Sequence, residues 1–531
     1  MVSRVIIKKK QSGESTKLAR EKVVFLSFID NMHLKILKPI RVGFSLVFFF
    51  LLLFVFIDCW AIFSASVIQS ILFFQFIPSL IKFIGLFTIT SSGFIVIISL
   101  TLLFGRIYCS SFCPLGTLND LIIGIYGRIT KKKFKYQNPR RILACCILTG
   151  IIVTFLAHVH FLINVLDPFG LSGKIFSELI RPLPILLNNT FSRILQLFND
   201  FSIRSIPIKQ TSIASLIFSS IIFIIIFILA LLKNRLYCNS VCPIGTFLGL
   251  VSKGSLFKIL INHNKCNNCG LCIDVCKAGC IDLQTQQLEF DRCIACYNCI
   301  YVCKEKAIDY KFLRPNYLYS TKKRTKLSRR LFIQRSIAGI AGIAGFLAIA
   351  KILQEQKWNK IYNPVTPPGS NGYLNFSAKC ISCHLCISAC PTHVLQPSFF
   401  EYGLNGIFQP KMDFWSGYCK FDCVICSETC PSGAVLPVNK EEKHRIQIGI
   451  STFIRNICIV VNQRVVCGLC SEHCPTKAIE MVPYLGTLKI PKINQKTCIG
   501  CGACEFACPT KPEKAIFVEA NMYHSKARIP A

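Results

Sequence analysis

The chain has 531 residues, of which 52% are hydrophobic and 32 are cysteines, and its formal charge is +35. A disulfide scaffold is excluded as the main use of the cysteines, because such scaffolds are typical of short secreted chains. The positive charge could indicate a nucleic-acid partner, but many basic residues flank apolar segments, as the positive-inside rule expects. We therefore expect a lipid bilayer as the environment and no nucleic acid.

Four apolar stretches predict transmembrane helices, near 41–62, 80–104, 142–163 and 213–233. Each has about the twenty residues needed to cross a hydrocarbon core about 30 Å thick. Residues 1–40 are mixed and basic, without a cleavable signal, and predict a cytoplasmic N-terminal segment. The sequence thus predicts a four-helix membrane domain over 41–250.

The loop GRITKKKFKYQNPRR between the second and third stretches indicates the orientation of these helices. Its dense positive charge is typical of a cytoplasmic loop. The N-terminus and the residues that follow the fourth stretch are then also expected in the cytoplasm. The loop over about 164–212 is expected on the other side.

Two nearly identical dodecapeptides each follow an apolar stretch: RIYCSSFCPLGT begins at Arg106 and RLYCNSVCPIGT begins at Arg235. They predict a duplicated unit that places a cysteine pair at the cytoplasmic membrane face. One interpretation is a packing turn that contains Pro114 and Pro243. A redox or metal role is favoured, because a duplicated pair is hard to explain by packing. A thiol–disulfide relay and one shared metal or cluster remain alternatives for four residues: Cys109, Cys113, Cys238 and Cys242.

A second duplication, over 255–315, has the spacing C-x-x-C-x-x-C-x-x-x-C, which is the bacterial ferredoxin spacing for two [4Fe–4S] clusters. Zinc is the alternative, but its sites usually use shorter local runs of cysteine. The fourth cysteine of each motif is expected to bind the partner cluster. One cluster is predicted on Cys266, Cys269, Cys272 and Cys303, and the other on Cys293, Cys296, Cys299 and Cys276. Lys277 and Lys304 replace the proline usual after the fourth cysteine.

Four further groups over 374–531 predict four more clusters, and each group ends in Cys-Pro. The groups are Cys380, Cys383, Cys386 and Cys390; Cys419, Cys423, Cys426 and Cys430; Cys458, Cys467, Cys470 and Cys474; and Cys498, Cys501, Cys504 and Cys508. Cys458 departs most from the spacing, and the pairing of these groups is left open. The sequence thus predicts about six clusters on 24 cysteines. No role is assigned to Cys59, Cys145, Cys146 or Cys280.

The segment 322–355 contains SRRLFIQ and then a Gly/Ala-rich apolar run, and it resembles a twin-arginine export signal. An ordinary fifth membrane helix is the alternative, with the same topology. The stretch YNPVTPPGSNGY predicts a linker over 356–373. The domain at 374–531 is therefore expected outside the cytoplasm.

This arrangement resembles the NapH family, and its tail resembles NapG, over about residues 35 to 531. The resemblance implies a membrane α-helical chain with a fifth anchor helix and two α+β bacterial-ferredoxin-like domains in the inner membrane. It implies electron transfer between the quinone pool and a periplasmic reductase or cytochrome, as in quinol dehydrogenases. An assembly factor like CcoG and a redox-sensing regulator like NosR are the alternatives, although both resemble only the N-terminal half.

Quinol oxidation would require a proton acceptor in the membrane domain. Ionisable residues near the outer ends of the predicted helices are candidates by default, although each could simply cap a turn or reach the interface. These candidates are Asp58, His158, His160 and Asp167.

Overall fold

The computed structural model describes residues 36–58, 62–131, 133–206, 213–312, 364–399 and 401–528. The predicted twin-arginine-like segment 322–355, residues 356–363 of the predicted linker and Cys59 lie outside the described residues. The described chain forms three parts. These are a helical unit (residues 36–256), a first cysteine-rich unit (257–312) and a second cysteine-rich unit (364–528).

The helical unit packs apolar helices around a core rich in phenylalanine and isoleucine. Its helices α1–α12 are Ile36–Ile57, Ala65–Leu72, Phe76–Leu86, Gly93–Phe104, Tyr108–Ser111, Pro114–Thr130, Arg141–Leu156, Phe161–Leu166, Pro168–Ile175, Pro182–Leu197, Ile213–Lys233 and Pro243–Ser252. Within the described ranges, α1 and α11 are long and apolar enough to cross a membrane, consistent with membrane anchoring. A third candidate span is the pair α2 and α3, which is bent by 107°.

Two of the four predicted spans are not single helices. In the segment 80–104, α3 ends at Phe87, which has a φ of 48°, and a 3₁₀ turn separates it from the 12-residue α4. In the segment 142–163, α7 has 16 residues and ends before His158, which has a φ of 58°. The prediction of one continuous helix is wrong for these segments, because apolar content does not record where the backbone turns.

The long helix α11 contacts different parts of the chain at its two ends. Near its start, the ring of Phe218 lies 4.2 Å from the ring of Phe408 in the second cysteine-rich unit. Just beyond its end, the backbone N–H of Arg235 donates to the carbonyl of Lys277 in the first unit. A helix of 21 residues is about 31 Å long, close to the thickness of a hydrocarbon core. The two cysteine-rich units therefore lie at opposite ends of a membrane-length helix.

The first cysteine-rich unit combines short helices with two-stranded antiparallel sheets. Its elements are β1 Phe257–Ile261, α13 Leu271–Asp274, β2 Ile281–Asp282, β3 Gln287–Leu288, α14 Asn298–Val302 and β4 Ile308–Phe312. Strand β1 pairs with β4, with Phe257 opposite Phe312, and β2 pairs with β3. The first and last strands thereby close the unit around its cysteine loops.

The second cysteine-rich unit repeats this construction. Its helices α15–α21 are Tyr373–Lys379, Leu385–Ala389, Ile425–Thr429, Lys440–Arg445, Ile459–Asn462, Leu469–Glu472 and Ala503–Ala507. Its strands β5–β10 are Leu395–Pro397, Pro410–Met412, Ile446–Phe453, Ile479–Leu485, Leu488–Ile493 and Ile516–Lys526. The pairs are β5 with β6, β7 with β10 and β8 with β9. Most of the short helices start within or directly beside a cysteine motif, so the secondary structure positions the thiols.

His524 on β10 predicts a pH dependence of stability. Its Nε2 lies 2.9 Å from the hydroxyl of Thr366, and burial lowers the pKa of His524 from 6.5 to about 4. Because the unfolded state then binds the proton more tightly, this stability is complete above about pH 6.5 and is lost as the pH falls towards 4. We expect a loss of about 1.4 kcal/mol at about pH 5.5.

The measurement is the thermal unfolding of the full chain in detergent at about pH 7.5 and 5.5. His524→Gln should flatten the pH dependence relative to the wild type, whereas His263→Gln at an exposed position should not. Equal pH dependences in the wild type and His524→Gln would contradict the prediction.

Candidate metal centres

In the first two cysteine groups of the second unit, the fourth cysteine of each group lies with the first three cysteines of the other group. The thiol of Cys386 interacts electrostatically with Cys380, Cys383 and Cys430. The thiol of Cys426 interacts in the same way with Cys419, Cys423 and Cys390. We name these groups set 3 (Cys380, Cys383, Cys386 and Cys430) and set 4 (Cys390, Cys419, Cys423 and Cys426).

The last two groups pair by the same rule. Cys470 interacts electrostatically with Cys458, Cys467 and Cys508, and these four thiols line a cavity of about 30 Å³. Cys458, which departs most from the motif spacing, is buried and belongs to this group. Cys504 interacts with Cys498 and Cys474, and Cys501 interacts with Cys474. We name the groups set 5 (Cys474, Cys498, Cys501 and Cys504) and set 6 (Cys458, Cys467, Cys470 and Cys508).

In the first cysteine-rich unit the structure groups Cys276 with the second motif. Cys299 interacts electrostatically with Cys296, Cys293 and Cys276, which form set 2. Cys272 interacts with Cys266 and Cys269. The ferredoxin spacing predicts Cys303 as their fourth member, and we name these four cysteines set 1. Sequence reasoning gave no role to Cys280, but its buried sulfur lies 3.7 Å from that of Cys276. Only its distance of four residues from Cys276 could have indicated this contact.

The sets have a chemistry that fits iron–sulfur clusters. Burial raises the pKa values of Cys386 and Cys426 well above the ordinary value, so the thiols need a metal to become thiolates. Backbone N–H groups of Ala307, Val435 and Ala478 donate to sulfur atoms at 3.3–3.4 Å, the kind of bond that tunes cluster potentials. Within the described ranges, no group of His, Cys, Asp or Glu is arranged to hold a single metal ion.

The structure also brings the two dodecapeptides together. All four cysteines are buried, with 5–6% exposure. Cys242 interacts electrostatically with Cys238, Cys113 and Cys109, so the two pairs form one group, which we name the quartet. In sequence the two pairs are 129 residues apart, and only the tertiary structure shows that they meet.

The second unit packs on the helical unit next to set 3. Asn164 donates its side-chain amide to the carbonyl of Asn405 at 3.1 Å. The ammonium of Lys174 lies 5.4 Å from the ring of Phe408 and donates to the carbonyl of Asn164 at 2.6 Å. Lys174 is 1% exposed, so the cation is buried between the two units.

A buried acid–imidazole pair crosses the same interface. Nδ1 of His384 lies 3.1 Å from a carboxylate oxygen of Glu178, and both side chains have 0% exposure. The other ring nitrogen of His384 lies 3.0 Å from the carbonyl of Phe408. Because His384 directly follows Cys383, these contacts fix set 3 against the helical unit.

The four predicted quinol-site residues lie in different environments. Asp58 accepts the backbone N–H of Phe63 at 3.2 Å, and exposed His158 lies in the turn after α7. Asp167 is buried and caps α9, because one oxygen accepts the N–H of Gly170 at 2.8 Å. His160 is buried and its Nε2 has no hydrogen-bond partner within the described residues. Asp58 and His158 therefore have ordinary turn or surface positions, whereas Asp167 and His160 are buried.

An apolar cavity of about 280 Å³ lies between α3, α4, α7 and α12. Its walls include Phe155 and Ile163, which flank His160 in sequence, and Pro243, which follows Cys242 of the quartet. The rings of Phe155 and His160 lie edge to face, 5.6 Å apart. The ring of Phe155 therefore lies between the cavity and the imidazole of His160.

Family models for iron–sulfur binding match segments in the helical unit and in both cysteine-rich units. Models described as 4Fe-4S binding domains match residues 86–135 and 215–262, residues 263–279 and 290–307, and residues 376–396. A model described as a 4Fe-4S dicluster domain matches residues 463–511. The first of these models covers both dodecapeptides.

Relatives with known names are ferredoxin-type proteins. The Ferredoxin-type protein NapF of Escherichia coli (strain K12) is 30% identical over 145 residues, or 27% of this chain and 80% of NapF. The methylamine utilization ferredoxin-type protein MauM of Methylophilus methylotrophus is 27% identical over 34% of this chain and 79% of MauM. NapG of Haemophilus influenzae is 28% identical over 35% of this chain and 70% of NapG. No solved structure matches.

These matches agree with the resemblance to NapG and NapH that the motifs indicated. The multiple 4Fe-4S domains show that the chain binds [4Fe–4S] clusters and is an iron–sulfur electron carrier. The chain belongs to the family of ferredoxin-type proteins that includes NapF.

Proposed function

We propose that the chain is a membrane-bound polyferredoxin that transfers electrons between the quinone pool and an extracytoplasmic reductase or cytochrome. The 24 cysteines of sets 1–6 would hold six [4Fe–4S] clusters, which supply one-electron transfer when bound. The observation that carries the proposal is the position of the two cysteine-rich units at opposite ends of α11. The basic 127–141 loop favours the cytoplasm for the first unit, and the second unit is then extracytoplasmic.

The sets form two series in space. In the first unit, Cys299 of set 2 interacts with Cys272 of set 1. In the second unit, Cys386 of set 3 interacts with Cys426 of set 4, and Cys501 of set 5 with Cys419 of set 4. Cys504 of set 5 interacts with Cys470 of set 6. The second unit thus leads from the helical unit, at set 3, to its far end, at set 6.

The apolar cavity supports the quinone link. Small-molecule pockets are mostly apolar with a few polar groups, and a quinone has an apolar tail and a ring with two oxygens. Oxidation of a quinol to the quinone releases two electrons and two protons. The unpartnered Nε2 of buried His160 is positioned to accept a proton beside the cavity, and Asp167 remains a second candidate.

The test is the reduction of the anaerobically purified full chain by a quinol analogue, followed by electron paramagnetic resonance. Leu148→Trp should fill the cavity and lower the reduction rate by about tenfold or more, whereas Leu143→Trp on the exposed face of α7 should not. His160→Gln should keep the cavity and slow reduction by about 10²-fold.

Dithionite reduction and iron content should stay unchanged in all three variants, which separates quinol binding from cluster loss. Equal rates for Leu148→Trp and Leu143→Trp would place the quinol site elsewhere. A wild-type chain with full iron content that quinol does not reduce would overturn the quinone link.

A further inference from the structure

The two dodecapeptides form a reciprocal pair around the quartet. The guanidinium of Arg106 donates to the carbonyl of Cys238 at 3.1 Å and lies 3.7 Å from the sulfur of Cys109. The guanidinium of Arg235 donates to the carbonyl of Cys109 at 2.8 Å and lies 3.8 Å from the sulfur of Cys238. Each half thus positions its own first cysteine and the backbone of the other half. The two dodecapeptides therefore make equivalent contacts with each other and together form one site.

The glycines of the repeated motif are required by this reciprocity. A Cβ on Gly116 would lie 2.3 Å from the carbonyl oxygen of Cys109, and a Cβ on Gly245 would lie 2.1 Å from that of Cys238. The Cβ on Gly116 would also lie 3.1 Å from the guanidinium of Arg235, and the Cβ on Gly245 would lie 2.9 Å from that of Arg106. The order of Cys, Pro and Gly that both dodecapeptides share is therefore explained by close packing of the two halves around one site.

The charges around the quartet are incomplete without an anionic centre. Arg106 is 1% exposed, and its guanidinium donates to neutral oxygens and to one sulfur. These acceptors are the side-chain amide oxygen of Asn239, the backbone carbonyls of Asp291 and Cys238, and the sulfur of Cys109. A buried guanidinium among neutral groups costs several kcal/mol. Four thiolates around an iron–sulfur core are net anionic and would supply the missing counter-charge.

The quartet lies between set 2 and set 3. Towards set 2, Arg41 donates to the carbonyl of Ser110 at 2.9 Å and interacts electrostatically with Cys296. Towards set 3, the buried carboxylate of Asp167 interacts electrostatically with Tyr237 and with Cys383. One continuous hydrophobic core contains the quartet, the cysteines of set 2 and Cys383.

We propose that Cys109, Cys113, Cys238 and Cys242 hold one further iron–sulfur cluster, shared between the two halves of the helical unit and placed between the two cysteine-rich units. The 4Fe-4S binding model matches each half separately, but each matched range contains only two cysteines, which is half of a four-thiolate site. A cluster at this position joins the two series of sets into one across the helical unit. The proposal deepens the proposed function, and it does not depend on which molecule donates electrons.

Iron counting tests the proposal. The anaerobically purified wild type should contain about 28 irons per chain, against about 24 for six clusters alone. Cys109→Ser combined with Cys238→Ser removes one ligand from each half and should lower the content by about four irons. Cys145→Ser combined with Cys146→Ser on α7, outside the sets, should leave it unchanged.

Two further measurements use only the wild-type chain, so they do not require a variant to fold. Mössbauer spectra of the ⁵⁷Fe-labelled wild type give the number of clusters without any substitution. Alkylation of the denatured, unreduced wild type shows whether the quartet cysteines are disulfide-bonded. About 24 irons in the wild type with quartet disulfides would overturn the proposal while leaving the quinol test intact. An unchanged iron content in the Cys109/Cys238 variant would also overturn it.

Discussion

Replacing Cys386 and Cys430 together with alanine is expected to remove about four irons, whereas replacing Cys426 and Cys430 together is expected to remove about eight. The reason is that Cys430 belongs to set 3 with Cys386, although its own motif supplies set 4. Two losses from one set destroy one cluster, but one loss from each of two sets compromises both. A reading of the motifs as local sites predicts the reverse order.

The measurement is iron and acid-labile sulfide per chain in anaerobically purified variants, with Mössbauer spectra to detect partly degraded clusters. The double variants differ in only one position, so their general effects on expression and folding are matched. An equal iron content in the two variants, or a larger loss for Cys386/Cys430, would show that the sets are not exchanged.

Asp120→Asn is expected to destabilise the chain by about 3–5 kcal/mol. Asp120 is the shared anion of three cations: Arg235 at 2.8 Å, Lys277 at 3.2 Å and Arg41 at 3.5 Å. Its side chain is 11% exposed and that of Arg235 is 0% exposed. Removing the charge would leave a fully buried guanidinium without its carboxylate, directly beside the quartet and the first cysteine-rich unit.

Thermal unfolding in detergent, followed by loss of visible absorption and by circular dichroism, gives the measurement. Asp309→Asn is the matched control, because the same change there removes an ion pair with Lys311, which is 65% exposed. That pair should contribute less than about 1 kcal/mol. Similar shifts for the two variants would contradict the prediction, since they would mean that Asp120 does not hold the cations together.

Local chemistry was predictable from the sequence because a cysteine motif is a local signal. The ferredoxin-type spacing over 266–303 predicted the grouping of Cys276 with Cys293, Cys296 and Cys299, and the structure places these four thiols within electrostatic reach of one another. Helix continuity was less predictable. An apolar run has the same composition whether or not Phe87 turns into the left-handed region, so the break between α3 and α4 left no signal in hydropathy.

The pairing of the second unit's motifs and the meeting of the two dodecapeptides depend on contacts between distant residues. Cys390 and Cys430 could each have joined several sets, and only the packing of α16 against α17 assigns them. The sequence alone assigned no role to Cys280. It also could not show that Arg106 and Arg235 each donate to a backbone carbonyl of the other dodecapeptide, because spacing within one segment does not record contacts between distant segments.

The sequence by itself determined that this protein is an apolar, cysteine-rich chain with ferredoxin-type motifs, since residue types and short spacings define which ligands are available. The tertiary structure alone decided which cysteine motifs of the second unit lie together and that the two dodecapeptides meet, because these contacts join distant parts of the chain. It also decided that the two cysteine-rich units lie at opposite ends of α11, since that arrangement depends on packing at Phe408 and Lys277.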